Sequence, residues 1–229
     1  QKKYRSGVGK LLHMVKWSRP ECMNRVRELS RFMGEGTYGH MHAMLRTMKH
    51  CISKPTRGLT LKPSMTWNGD RNFEFVVRGK SDSDYAKCTD TRKSISGYCT
   101  YLCDAVVTVK SGMQRIVALS VSEAELYAAT QCAQDMLYIY RLLSNIGLKV
   151  KLPMVLEVDN QGAVDLANNW SVGGRTRHVE VRQYFLREMK EQGLIVVKWC
   201  SGDSNESDLF TKNLGGPDFE KHAGVFCSD

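Results

Sequence analysis

Past residue 72 the apolar residues of this chain shift from helical to alternating spacing and later back again. That order restricts the fold more than any single motif. Residues 73–81, 94–102 and 105–110 read as three consecutive strands with turn-type residues between them, which predicts an antiparallel meander. A long helix over 120–146 follows, then a strand at 154–158, helices from 161 and over 178–192, a strand at 194–199 and a last helix over 206–214. A sheet that opens as a meander and closes in strand–helix units is a mixed five-stranded α/β domain. Ahead of it, helices are expected over 9–17, 21–33 and 38–51, then a Pro- and Gly-bearing stretch with at most one short strand. The chain therefore divides into a basic helical segment (1–55), a linker (56–72) and the α/β domain (73–229).

Charge follows the same division. Residues 1–72 carry 15 Lys+Arg against 4 Asp+Glu, whereas the remainder carries 18 against 20. A concentrated positive segment fits a polyanionic partner, because neutralising phosphates releases counterions. No apolar run is long enough to span a membrane, so no membrane partner is expected. Eight irregularly spaced cysteines without a Cys-x-x-Cys pair favour a reducing, intracellular location. The start at Gln1, with no hydrophobic secretory core behind it, predicts a piece of a longer chain. His40, His42, His50 and Cys51 match no common zinc-finger spacing, and the histidines are expected on a helix surface.

Four acidic residues fall where structure rather than solubility should set their surroundings. Asp82 ends the first strand of the meander, Asp159 ends the strand at 154–158, and Asp208 opens the last helix. Glu125 is spare as a capping residue, because Ser120 with Glu123 already forms a Ser-x-x-Glu box. It heads an apolar stripe of Ala129, Cys132, Met136 and Leu143, so it should face the sheet. Converging carboxylates need cations to stay ionised, and an all-oxygen set selects hard ions such as Mg²⁺ or Mn²⁺.

The blocks Ser81-Asp82-Ser83-Asp84-Tyr85-Ala86, Ser120-Val121-Ser122-Glu123-Ala124-Glu125, Val158-Asp159-Asn160-Gln161, Arg175-Thr176-Arg177-His178-Val179-Glu180-Val181-Arg182 and Asp208-Leu209-Phe210-Thr211-Lys212 occur in this order. In order and spacing the chain resembles the ribonuclease H domain of copia-type (pseudoviral) LTR retrotransposon polyproteins. Upstream, Ser18-Arg19-Pro20 and Leu29-Ser30-Arg31-Phe32-Met33 resemble the thumb and connection that follow the reverse transcriptase palm. The chain contains no Tyr-x-Asp-Asp, so polymerase activity is not expected.

The resemblance implies a ribonuclease H-like mixed five-stranded sheet with flanking helices, preceded by a small helical segment. It implies metal-binding carboxylates at Asp82, Glu125, Asp159 and Asp208, with Asp84 as a rival to Asp82. The implied reaction is hydrolysis of the RNA strand of an RNA–DNA hybrid with two Mg²⁺ ions, Mn²⁺ being the alternative. Gln161 would contact the minor groove, and Arg175, Arg177 and Arg182 the backbone. The implied partners are the hybrid, the rest of the polyprotein and a larger ribonucleoprotein assembly. The segment before Asp208 lacks the histidine found in many ribonucleases H outside this family, which predicts slow turnover. The alternative is a domesticated or fragmentary retroelement protein that binds nucleic acid without cutting it.

Overall fold

A computed structural model of the chain describes residues 1–168 and 177–228. It divides into two compact units, Gln1–Leu61 with Lys212–Asp229, and Lys62–Thr211.

In the first unit three helices, α1 (Lys2–Trp17), α2 (Met23–Ser30) and α3 (Tyr38–Ser53), share one apolar core. Tyr4, Val8, Leu11 and Val15 recur every three or four residues and form one stripe on α1. They pack with Val26 and Leu29 of α2 and Met44 and Cys51 of α3. The short segments Gly58–Leu59 and Cys227–Ser228 pair antiparallel. A carboxy-terminal helix over Gly216–Phe226 buries Ala223 and Phe226, and its Glu220 accepts from Arg57 at 2.7 Å and Lys54 at 3.1 Å. These contacts group residues 212–229 with the basic helices, whereas the sequence division places them in the α/β domain.

The second unit contains the sheet. Its strands are β1 (Val77–Asp84), β2 (Ile95–Leu102), β3 (Ala105–Met113), β4 (Met154–Val158) and β5 (Ile195–Trp199), in the order β3-β2-β1-β4-β5. The first three are antiparallel, and β4 and β5 join parallel to β1. This is the mixed five-stranded sheet expected from the sequence, with α4 (Val121–Asn145), α5 (Gln161–Asn168) and α6 (Arg177–Glu191) flanking it. The stripe predicted on α4 is its core face: Ala129, Cys132, Met136 and Leu143 are all buried. Burial of the two large side chains among them, Met136 and Leu143, contributes roughly 1.5–3 kcal/mol of transfer free energy each.

Two glycines set how closely elements approach the sheet. A Cβ at Gly79 would stand 2.6 Å from Cys132 Sγ and 2.8 Å from Met136 Sδ, so α4 lies almost on the β1 backbone. On the other face a Cβ at Gly97 of β2 would meet Thr211 Cγ2 at 2.6 Å and Phe210 Cβ at 2.9 Å.

The last predicted helix is different in kind. Residues 206–214 do not form one helix; a short 3-10 turn over Glu206–Phe210 is followed, after Lys212, by the separate helix at Gly216–Phe226. The Asn205 side chain accepts from the Ser207 N–H at 3.3 Å and donates to Ser81 O at 3.0 Å, which pins a tight turn to β1. Gly215, Gly216 and Pro217 then interrupt any continuous helix, with the proline in the first turn of the next one.

Candidate active site

Parallel pairing brings the first two carboxylates together. Ser81 of β1 stands opposite Val158 of β4, so the next residues, Asp82 and Asp159, lie side by side at the carboxyl ends of adjacent strands. Glu125 comes from the opening turns of α4, whose start is capped by the Ser120 side chain accepting from the Glu123 N–H at 3.1 Å. Glu123 Oε2 in turn accepts from the Leu119 N–H at 2.7 Å, leaving Glu125 free to point inward as expected. One carboxylate oxygen from each of Asp82, Glu125 and Asp159 lies within 4.8 Å of the others.

Asp208 is not part of that group. It sits half-buried in the Glu206–Phe210 turn, and the residue of that turn that reaches Asp82 is Thr211, whose hydroxyl donates to Asp82 Oδ2. Asp84 is also outside the group and pairs with Lys87 at 3.0 Å.

Three supporting residues escape sequence reasoning. Ser83 donates both its N–H (3.0 Å) and its hydroxyl (2.9 Å) to Glu125 Oε1. Thr211 holds Asp82, although nothing in a threonine three residues past an aspartate signals that contact. Lys80, buried in the middle of β1, bonds Glu206 at 2.8 Å and lies 3.8 Å from Glu157. A lysine inside a strand is the one available sign of such a buried ion pair.

The electrostatics follow from this placement. Burial pushes the Glu125 carboxyl well above the usual carboxylate range, and the nearby Asp82 and Asp159 charges push it further, against the two Ser83 hydrogen bonds. Glu125 Oε2 is buried and has no hydrogen-bond partner. An oxygen-only donor set with one orphaned buried oxygen suits a hard divalent cation, and Asp82, Glu125 and Asp159 are the residues that can hold it.

The expected nucleic-acid contacts spread along α5 and α6. Gln161 is exposed at the start of α5 and donates to Asp165 at 2.9 Å. The Arg182 guanidinium lies 4.3 Å from the centre of the Tyr127 ring and is half-buried. Arg177 is the first residue of α6, and Arg175 lies outside the described residues. His50, expected on a surface, is instead half-buried beside Glu21, and Cys51 is fully buried. All eight cysteines are buried and none forms a disulfide. Among the described residues no helix is long and apolar enough to cross a membrane.

No family model matches the chain. It is 31% identical over 217 residues to the retrovirus-related Pol polyprotein from transposon TNT 1-94 of Nicotiana tabacum, covering 95% of this chain and 16% of that polyprotein. It is 29% identical over 220 residues to the corresponding polyprotein from transposon RE1 of Arabidopsis thaliana, covering 96% of this chain and 14% of that one. Among solved structures, LC11-RNase H1 in complex with RNA/DNA hybrid aligns with a TM-score of 0.45 at 10% identity, over 59% of this chain and 93% of that one. The chain thus spans less than a fifth of the length of these two polyproteins. Those matches run through both units, and the homologues of the chain are retrovirus-related Pol polyproteins of plant transposons.

Proposed function

We propose that the chain is a metal-dependent ribonuclease H that hydrolyses the RNA strand of RNA–DNA hybrids, as part of a larger reverse transcriptase polyprotein. The observation that carries this reading is the meeting of Asp82, Glu125 and Asp159 within 4.8 Å, with Glu125 Oε2 unpartnered, in a chain whose homologues are transposon Pol polyproteins. Asp82, Glu125 and Asp159 would hold Mg²⁺ or Mn²⁺, which would supply water activation and charge stabilisation at the leaving 3′ oxygen. The chain's own residues prepare the place. Ser83 fixes one oxygen of Glu125 and so aims the other into the cluster; Thr211 fixes Asp82 in the same way. Asp159 is oriented by its position at the end of β4, where Trp199 donates to its backbone carbonyl at 3.1 Å. Asp208 is the fourth carboxylate of the reading.

Gln161, Arg175, Arg177 and Arg182 would grip the hybrid, and the 2′-hydroxyl would mark the strand to be cut. An intracellular location, in a cytoplasmic particle or the nucleus, goes with this activity.

The test is cleavage of a labelled RNA–DNA hybrid with and without Mg²⁺ or Mn²⁺, beside the Asp159→Asn protein. Metal-dependent cuts in the RNA strand, lost in the variant, are expected. Hybrid binding without cuts would favour the second reading, a non-catalytic binding subunit. Two observations favour that reading: the 15-to-4 excess of basic over acidic residues in 1–72, and the position of Asp208 outside the cluster.

A further inference from the structure

A second group of metal-type ligands lies in the first unit, separate from the carboxylates of the sheet. Glu21, Cys22 and His50 each offer one ligand atom, all within 4.8 Å of one another. Glu21 and Cys22 come from a 3-10 turn over Pro20–Cys22, and His50 from the last turn of α3. Glu21 has a fully buried side chain, Cys22 is 5% exposed, and His50 Nε2 is buried with no hydrogen-bond partner. The adjoining Cys51, 6% exposed, places its Sγ 4.0 Å from that of Cys22. Two thiolates at about 2.3 Å from one tetrahedral zinc ion stand about 3.8 Å apart, so this sulfur pair already has the spacing a shared ion requires.

We propose that Cys22, His50 and Glu21 form a structural zinc site that ties the Pro20–Cys22 turn to the end of α3, and that Cys51, which lies outside this group of three but 4.0 Å from Cys22, closes in as the fourth ligand when the ion binds. Sulfur and imidazole ligands select a soft ion such as zinc over magnesium, so this site and the carboxylate cluster would take different metals. The charges also balance. Two thiolates and one carboxylate exceed the zinc charge by one negative unit, and the buried Arg19 guanidinium, 2.6 Å from Glu21 Oε1, supplies the opposite unit. That guanidinium also donates to the carbonyls of Cys51 and Lys54, both at 3.2 Å, and so braces the end of α3 that carries two of the ligands. A cleft bordered by Cys22, Arg46, Thr47, His50 and Phe219 gives an ion a way in.

The test uses the full chain, purified under reducing conditions from zinc-supplemented cells and passed over a weak chelator. About one zinc per chain is expected by elemental analysis, kept in Asp82→Asn and lost in Cys22→Ser and His50→Gln. Because those last variants can fail to fold, Co²⁺ is also exchanged into the wild-type chain. A thiolate-to-cobalt charge-transfer band with tetrahedral d–d absorption is then expected. Zinc-free wild-type protein, a cobalt spectrum without the thiolate band, or undiminished zinc in folded Cys22→Ser and His50→Gln proteins would each overturn the proposal. So would a Cys22–Cys51 disulfide in place of the metal.

Discussion

Glu125 Oε1 accepts both the backbone N–H and the hydroxyl of Ser83, at 3.0 and 2.9 Å, while its Oε2 is buried without a partner. One oxygen is thus spent on holding the side chain and the other is left for a ligand. Ser83→Ala removes the hydroxyl bond and should cost about 1–2 kcal/mol. Urea denaturation should show a lower midpoint at unchanged slope. An unchanged midpoint would mean that the hydroxyl does not hold Glu125 in solution.

The raised Glu125 pKa gives metal-free stability a definite pH dependence. The folded state keeps this proton at pH values where the unfolded chain, with an ordinary value of 4.5, has lost it. Its contribution is therefore fully present below pH 4.5 and is lost as pH rises through the folded-state value. Glu125→Gln removes that part of the dependence, so the melting temperatures of wild type and variant, in chelator, should diverge as pH rises, with the wild type falling. Added Mg²⁺ binds only the ionised cluster and should stabilise the wild type more at high pH than at low. Parallel curves for the two proteins would contradict the assignment.

Gly97 has no room for a side chain. In Gly97→Ala the new methyl meets Thr211 Cγ2 at 2.6 Å and Phe210 Cβ at 2.9 Å, which should cost roughly 1–3 kcal/mol and displace the Thr211 hydroxyl from Asp82. Gly112→Ala is the control, since nothing lies within 4 Å of a Cβ there. If calorimetry finds the two variants equally stable, the close approach at Gly97 does not exist in solution.

Arg182 lies over the Tyr127 ring and is half-buried. Arg182→Ala should weaken hybrid binding and reduce the slope of log affinity against log salt by about 1. Arg182→Lys keeps the charge and should keep most of the slope. A variant with wild-type affinity but lower stability would assign Arg182 to packing on Tyr127 alone.

Much of the fold was legible because its cues are local. Alternation marked β1, β2 and β3; the spacing from Glu125 to Leu143 marked the buried face of α4; and Ser120 with Glu123 capped that helix, freeing Glu125. The missed turn at Glu206–Phe210 depends on Asn205 reaching Ser81, a contact spanning 124 residues that no local pattern carries.

The identity of strands and helices, and the presence of carboxylates at strand ends, came from the order of residues alone, since steric period and capping act over a few positions. Which side chains meet was decided by tertiary structure. Pairing of Ser81 with Val158 puts Asp82 beside Asp159, and the turn after Asn205 presents Thr211 to Asp82 while Asp208 stays outside the cluster. Packing of the Pro20–Cys22 turn against α3 likewise brings Glu21 and Cys22 to His50 across more than twenty residues. Those meetings depend on strand register and helix packing, which follow from burying the whole core at once and leave no mark at any single position.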